Sequence, residues 1–403
     1  MKGSEMGESR HILIVPSEDY LPEDGLLQGV FQQHQAEALA QAGHRVGVIS
    51  PILRSVRTFL RNWRRWGTSR SQEKSIVVHR RFGCYLPRSQ SESARRQWIS
   101  SGLALYRDYA RLNGKPDLLH AHNASWAGVL AEALQREVGV PYVLTEHSTA
   151  YGRGLVRDAD VSLIQQAFRY ASARIVVSPS LGADVVRVIG SAADGWEWVP
   201  NVLPPFFESA NVSPTGTRPG PPFCFLNVAS LDEKKGHSDL LRAFAAGFAN
   251  RRDTQLRIVG DGPLRADLLR LSSELGIGAR VSFTGIQNRE GVLAEMSACD
   301  AFVLSSRKET FGVVVIEALA CGKPVIATKC GGPEWFVEPQ DGILVQPKDP
   351  GVLAEAMQRM VDDVHRYDGP AIRRRCIDRF GAAALNAALC RIYDRVLAAA
   401  PLE

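Results

Sequence analysis

The chain has 403 residues, of which 45% are hydrophobic, and a formal net charge of +5. That length exceeds one ordinary hydrophobic core, so two domains are the natural expectation. No apolar run is long enough to span a membrane, and residues 1–10 are polar and lack the apolar centre of a signal peptide. The seven cysteines (84, 224, 299, 321, 330, 376 and 390) are odd in number and show no Cys-x-x-Cys spacing. This fits reduced, mostly buried thiols in a cytoplasmic protein.

His11 to Val15 is an apolar run and predicts a first strand. A loop follows over residues 16–27, then Gly29, then a helix carrying Phe31, Ala38 and Leu39 that ends near Gly43. Arg45 to Ile49 predicts the second strand. Strand, glycine-bearing loop, helix and strand form a Rossmann-type opening, but the glycine triplet of dinucleotide sites is absent, so NAD is not expected. In residues 53–66, Leu53, Val56, Leu60 and Trp63 recur at three- and four-residue spacing, with Trp66 beside them, while Arg54, Arg57, Arg61, Arg64 and Arg65 fill the other side. The pattern predicts a basic amphipathic helix. It either packs on the first domain with a wet face, or meets an anionic membrane surface through Arg57, Arg61, Trp63, Arg64 and Trp66. Residues 51–115 hold nearly all the charge imbalance, with only Glu73, Glu92 and Asp108 as acids; a localised basic surface seeks phosphate.

A strand over Ile76 to His79 and a helix around Gln97 to Leu112 precede Leu118-Leu119-His120-Ala121-His122-Asn123, a strand running into a loop. His120 and His122 share one face of it, because strand side chains alternate. A helix from Trp126 to Val138 leads to a strand, Tyr142 to Thr145, that ends in Glu146-His147-Ser148. Asp158-Ala159-Asp160 has the spacing of a metal-binding acid pair but no strand leads into it, and it reads as a helix start. Further elements follow at Val161 to Ala171, Ala173 to Ser178 and Leu181 to Ile189. The boundaries expected are a first domain over 1–203, a Pro-, Gly- and Ser-rich linker over 204–222, a second domain over 223–380, and a final helix in 381–403.

The second half repeats the strand–loop–helix design. Strand Phe223 to Val228 enters Ser230, Lys234, Lys235 and Gly236 at the start of a helix. Strand Leu256 to Val259 enters Gly260-Asp261-Gly262-Pro263. Strand Ala301 to Leu304 enters a polar loop, Glu309-Thr310-Phe311-Gly312, and a helix that opens with Val313, bears Glu317 and ends at Gly322. In parallel sheets ligands sit off the carboxyl ends of strands, where loops meet helix N-termini. Gly312 permits close backbone approach, and the free N–H groups of the first helical turn favour a phosphate. Carboxylates so near a phosphate are costly unless they bind hydroxyls of sugars attached on either side of it.

Glu309-x7-Glu317, set within Glu309-Thr310-Phe311-Gly312, Glu317-Ala318-Leu319-Ala320-x-Gly322-x-Pro324 and Gly331-Gly332-Pro333-Glu334, resembles the retaining nucleotide-sugar glycosyltransferases of family 4. The resemblance implies a GT-B fold, with two Rossmann-like domains facing across a cleft and a C-terminal helix crossing back to the first domain. It implies that Lys235 clamps a donor diphosphate and that Glu309 binds the donor sugar near its anomeric carbon. His147 would face the reacting centre, and Glu317 would bind the ribose hydroxyls. Thr310, Phe311, Gly312, Val313, Ser230, Gly260, Asp261 and Gly29 would line the donor site, with His122 and Gly25 toward the acceptor. The family often has Arg where this chain has Ser230, and Lys234, Arg153 or Arg157 are the available substitutes. A nucleotide-diphosphate sugar is the expected donor, UDP-linked first and GDP-linked next, with no metal or other cofactor. The opening around Gly29-Val30-Phe31 resembles members that build cell-surface polysaccharides on lipid carriers. The expected acceptor is therefore lipid-linked or polysaccharide, and the expected place the cytoplasm or the inner face of the plasma membrane; nucleic acid is not an expected partner.

Two rival readings come from other classes. His120, His122 and His147 have ligand-like character and would suit a metal-dependent hydrolase. A sugar-nucleotide-binding scaffold without turnover would account for Ser230.

Overall fold

The computed structural model describes residues 9–17, 20, 30–56, 66–85, 92–211, 222–249 and 251–399. The chain divides into two compact units. One comprises Met1–Val177, Leu181–Val202 and Ala382–Glu403, the other Ser178–Ser180 and Leu203–Gly381.

The first unit is built on an eight-stranded sheet. Its strands are β1 (His11–Val15), β2 (Arg45–Ser55), β3 (Gly67–Glu73), β4 (Ile76–Tyr85), β5 (Leu118–His122), β6 (Tyr142–Glu146), β7 (Ala173–Val176) and β8 (Glu197–Trp198), in the order β3-β4-β2-β1-β5-β6-β7-β8. All neighbours are parallel except β3, which runs antiparallel to β4 at the edge. β1, β5 and β6 are buried along their whole length, as expected of parallel strands covered on both faces. The chain leaves β1 for β2 on one side and later returns to β5 on the other, so the strand order switches between β1 and β5. The C-terminal helix Ala382–Ala399 belongs to this unit. Its Leu385, Leu389, Ile392, Tyr393 and Val396 form one stripe and join the same core as Ile12, Ile14, Val46 and Val48. Burying each such side chain contributes roughly 1.5–3 kcal/mol before entropy is counted.

The second unit holds a six-stranded, wholly parallel sheet of β9 (Phe223–Val228), β10 (Thr254–Val259), β11 (Val281–Gly285), β12 (Ala301–Leu304), β13 (Val325–Thr328) and β14 (Gly342–Val345), ordered β11-β10-β9-β12-β13-β14. Its switch point lies between β9 and β12. Helices His237–Phe248 and Pro350–Asp363 supply Leu240, Phe244, Phe248, Leu353 and Met357 to its core.

Several expectations change. The amphipathic helix over 53–66 is not what its first residues form: Leu53, Arg54 and Ser55 continue β2, paired with Gly83, Cys84 and Tyr85 of β4. Pairing with β4 carries β2 past Pro51 through Ser55, and helical backbone begins at Val56. Arg57, Arg61, Trp63 and Arg64 lie outside the described residues, as do Gly25 and Gly29; Trp66 is half-buried just before β3. The positive excess is also partly neutralised locally. Arg70 and Arg111 pair with Asp108, Arg80 with Glu73, and Arg107 with Glu137. The stretch read as linker contains a short helix, Pro205–Glu208, while residues 212–221 lie outside the description. Strand β3 and helices Arg289–Ala298 and Gly369–Phe380 were not expected: β3 is polar and exposed, and these helices have weak apolar stripes.

Candidate active site

Each sheet concentrates polar, chemistry-bearing side chains at the carboxyl end of its switch point, the position where parallel sheets bind ligands.

In the second unit, β9 runs through Ser230 and Asp232 into a short turn, Glu233–Lys235, and then the helix from His237. Asp232 caps the turn by accepting from Lys234 N at 3.1 Å. Gly236 has φ +66°, and a Cβ there would stand 2.1 Å from the Ser305 carbonyl oxygen. The glycine lets this loop lie against the end of β12. Ser305 Oγ donates to the Lys235 carbonyl at 2.9 Å, and Arg307 N donates to the Lys234 carbonyl at 2.7 Å. The Arg307 guanidinium pairs with Asp239 at 3.1 Å and with Glu233.

This scaffold delivers Lys235 Nζ to Glu309 Oε1 at 2.6 Å, and Ser306 Oγ donates to the same oxygen at 2.7 Å. Burial alone would lower the Lys235 pKa; the adjacent Glu309 carboxylate outweighs that and raises it. Lys235 is thus a fixed ammonium. Beside it, Gly312, at φ +92°, opens the helix Val313–Ala320 with no side chain capping the first-turn amides. A lysine ammonium and a bare helix N-terminus are two independent attractions for a phosphate. Glu317 lies on this helix, half-buried; burial pushes its carboxyl up to about 7, against the pull of Arg289. Thr310 and Val313 are half-buried in the same loop and turn.

Four other residues named from the sequence have structural duties here. The Phe311 ring is a core side chain, 4.8 Å from Phe336 and 5.8 Å from Phe380 between ring centres, which leaves only its backbone to meet a ligand. At Gly260 (φ +135°) a Cβ would sit 1.9 Å from the Ala229 carbonyl oxygen, and the Asp261 carbonyl accepts from Leu231 N at 2.9 Å. These two positions fasten the β10 loop to the β9 loop. Ser230 Oγ donates to Asp232 Oδ2 at 2.7 Å. Of the substitute cations, Lys234 Nζ stands 3.9 Å from Asp232 Oδ2, and Arg157 is held by Asp160, which lies in the first turn of helix Asp158–Tyr170.

In the first unit, the ends of β5 and β6 bring three histidines into a stack. The rings of His120 and His122 are 4.7 Å apart and nearly parallel; those of His122 and His147 are 5.2 Å apart. His122 Nδ1 and His147 Nε2 share a hydrogen bond of 3.0 Å. Phe31 packs against both, its ring centre 4.2 Å from that of His147 and 6.5 Å from that of His122. His120 is fully engaged, with Tyr393 Oη at 2.6 Å on Nδ1 and Thr145 Oγ1 at 2.7 Å on Nε2. Burial pushes His120 and His147 down to about 3 and His122 well below its ordinary value, so all three are neutral at physiological pH. Among the described residues, no group of three His, Cys, Asp or Glu side chains is arranged to hold a metal ion. With His120 committed to Tyr393 and Thr145, and one nitrogen each of His122 and His147 committed to the other, this cluster does not form the ligand set of the hydrolase reading.

Sequence reasoning missed the residues that hold this stack. Asn123, at φ +68°, accepts from His147 N at 2.9 Å and donates to Ser17 Oγ at 2.7 Å. Asn tolerates that left-handed backbone better than most residues, and such strain collects at functional sites. The buried Glu146 carboxylate accepts from Ala124 N, Ser148 N and Tyr151 Oη. Arg307 and Ser306 were likewise missed: the Arg307 partners Glu233, Asp239 and Lys234 lie some seventy positions away in the chain, while Ser306, a small hydroxyl in a polar loop, meets Glu309 three positions on. The only available signal was the position of all of these at strand ends.

With this geometry in place, comparison with known proteins defines the class. Residues 28–205 match the domain described as Glycosyltransferase Family 4, and residues 211–377 match the domain described as Glycosyl transferases group 1. A lipopolysaccharide core biosynthesis glycosyltransferase, LpsD of Rhizobium meliloti, is 32% identical over 238 residues, covering 56% of this chain and 64% of that protein. Among solved structures, sucrose-phosphate synthase from Thermosynechococcus elongatus superposes with a TM-score of 0.74 at 24% identity, covering 97% of this chain and 100% of the other. HepE of Anabaena, in complex with UDP, gives 0.69 at 20% identity over 95% and 99%. The fold is GT-B, and the chain carries in succession two domains that match these glycosyltransferase domain families. No helix among the described residues is long and apolar enough to cross a membrane.

Proposed function

We propose that the protein transfers a hexose-type sugar from a nucleotide-diphosphate sugar to an acceptor hydroxyl, with retention of configuration and without a metal ion. One observation carries the reading: the Lys235–Glu309 ion pair stands at the switch point of the second sheet, beside the uncapped helix opened by Gly312. Lys235 and the first-turn amides of that helix neutralise the charge that develops on the leaving diphosphate, the role a divalent cation plays elsewhere. Glu309 accepts hydrogen bonds from hydroxyls of the donor sugar, Glu317 from those of the ribose, and His147 faces the reacting centre. Ser306 and Lys235 already occupy a Glu309 oxygen, which makes this carboxylate a poor nucleophile. Attack by the acceptor hydroxyl on the face the diphosphate leaves, with a phosphate oxygen taking the proton, needs no covalent sugar–enzyme bond. UDP-sugars are the first donors to test and GDP-sugars the next. The name of LpsD, a lipopolysaccharide core enzyme, supports a lipid-linked or polysaccharide acceptor, met in the cytoplasm at the inner face of the plasma membrane.

The test is thermal stabilisation by a panel of UDP-, GDP-, ADP- and TDP-sugars with and without EDTA, because a ligand that binds only the native state stabilises it by RT ln(1 + L/Kd), L being the free ligand concentration. Stabilisation by one nucleotide that survives EDTA is the expected result. Stabilisation that vanishes with EDTA, or no response to any nucleotide, contradicts the reading.

A further inference from the structure

The C-terminal helix, Ala382–Ala399, is tied to the first unit by more than its apolar face. Leu385, Leu389, Ile392 and Val396 fix which side is buried, but apolar contact is non-directional and sets register along the stripe only weakly. Polar contacts set it. Asn386 Nδ2 donates to the Ala38 carbonyl at 2.9 Å, Cys390 Sγ meets His44 Nε2 at 3.3 Å, Asp394 pairs with Arg10, and Arg395 pairs with Glu197. None of these contacts involves the histidine stack. Tyr393 is the exception. It is wholly buried in the same core, and its Oη lies 2.6 Å from His120 Nδ1. A phenol oxygen buried among apolar side chains is costly unless it is hydrogen-bonded, and here its partner is the inner ring of the stack.

His120 is held at both ring nitrogens, by Tyr393 on Nδ1 and by Thr145 Oγ1 at 2.7 Å on Nε2. Gln35 Nε2 lies 3.2 Å from one ring nitrogen and 3.5 Å from the other. A group so nearly equidistant from both cannot lie along either lone pair, so it rests over the ring face and does not stand in for the phenol. The His122 ring lies on His120 with an interplanar angle of 10°. Its hydrogen bond goes to His147, and its Nε2 has no partner. The plane of His122 is therefore set by the ring it lies on and by the ring it is bonded to, whichever of the two carries the shared proton. We propose that Tyr393 is a positioning residue: through His120 it fixes the planes of the His122–His147 pair, so that the C-terminal helix completes the site at the end of β5 and β6. The ring geometry is a property of the ligand-free protein; its catalytic consequence rests on the function proposed above, in which His147 faces the reacting centre. A group in that place must keep its direction within about 10–20°, and a neutral ring keeps it through packing and hydrogen bonds alone.

The experiment compares Tyr393→Phe, which keeps the ring and removes the hydroxyl, with Asp394→Asn, which weakens the same helix at its contact with Arg10, away from the stack. Histidine labelled with 13C at Cε1 is followed by 1H–13C correlation in the full chain, and the His122 and His147 signals are assigned by their loss in His122→Gln and His147→Gln. Both signals should move in Tyr393→Phe and keep their wild-type positions in Asp394→Asn. UDP-glucose turnover should fall about tenfold in Tyr393→Phe, the scale of one hydrogen bond, through kcat, with KM and UDP affinity little changed. Asp394→Asn should lower Tm and leave kcat alone. His122 and His147 signals unmoved by Tyr393→Phe overturn the proposal, as does an equal loss of kcat in Asp394→Asn; a wild-type kcat in Tyr393→Phe overturns its catalytic half. If Tyr393→Phe does not fold, Thr145→Val, which frees His120 at its other nitrogen and keeps the side-chain shape, carries the same expectation and the same refutation. Wild type without UDP-glucose turnover would instead count against the proposed function, and the ring signals would still decide the role of Tyr393.

Discussion

The two switch points of this chain treat polarity in opposite ways. At the end of β5 and β6, the histidines are buried, neutral and hydrogen-bonded to one another and to Tyr393 and Thr145. At the end of β9 and β12, Lys235 and Glu309 form an ion pair that stays partly accessible, with side-chain exposures of 17% and 13%. A buried ring stack gives fixed direction with no net charge. An ion pair near water gives charge that can change partners, since the Glu309 oxygen holding Lys235 is one a phosphate can replace. On the function proposed above, this difference lets the first unit orient a neutral group and the second handle a diphosphate.

The largest expected effect breaks the charged half. Lys235→Ala should cost about 10²–10³-fold in turnover, the scale of losing one preorganised electrostatic contact, and should also weaken UDP binding in calorimetry. Glu309→Gln sharpens the comparison. It should lose turnover to a similar extent, about 10²-fold or more, yet bind UDP at least as tightly as wild type, because the competing carboxylate is gone. Weaker UDP binding in Glu309→Gln would mean that the pair is a scaffold and not an exchangeable counter-ion. Phe311→Ala, in the ring cluster with Phe336 and Phe380, should cost about 3–5 kcal/mol of stability by chemical denaturation. A value near zero would return that ring to the ligand site. Gly236→Ala forces a left-handed backbone on alanine and a Cβ 2.1 Å from a carbonyl; it should destabilise by about 1–3 kcal/mol and reduce UDP affinity with it.

The smallest effect concerns Glu317. Its carboxyl is raised from 4.5 to about 7, so between those values the native state binds a proton that the unfolded state has released. Its contribution to stability is therefore greatest below pH 4.5, falls as pH rises toward 7, and is flat above. Glu317→Gln should make Tm rise more, or fall less, than wild type across pH 4.5–7 while the two run parallel at higher pH. UDP affinity in wild type should increase as pH rises through about 7, where the hydroxyl-accepting carboxylate forms in the folded protein.

The sequence carried the ends of β1, β9 and β12 well because apolar runs give way there to Pro16-Ser17, Ala229-Ser230 and Ser305-Ser306. It placed Glu309 with Lys235 only through a family resemblance; nothing local links two residues 74 positions apart. It could not show that Phe311 faces the core, since an aromatic in a glycine loop has no periodicity to report. It misread Leu53 to Ser55, where pairing with β4 extends the strand three residues into the stretch expected to be helical. The histidine stack was half legible: alternation put His120 and His122 on one face, but the hydrogen bond to His147 depends on β5 and β6 being neighbours.

The most direct test of the central claim is isothermal titration of UDP into wild type and Lys235→Ala, each in EDTA. Metal-independent binding by wild type that falls at least about tenfold in the variant, one charge-assisted hydrogen bond's worth, is the predicted result. Equal affinities in the two proteins, or binding that requires a divalent cation, would contradict a diphosphate held by Lys235 at the β9–β12 switch point.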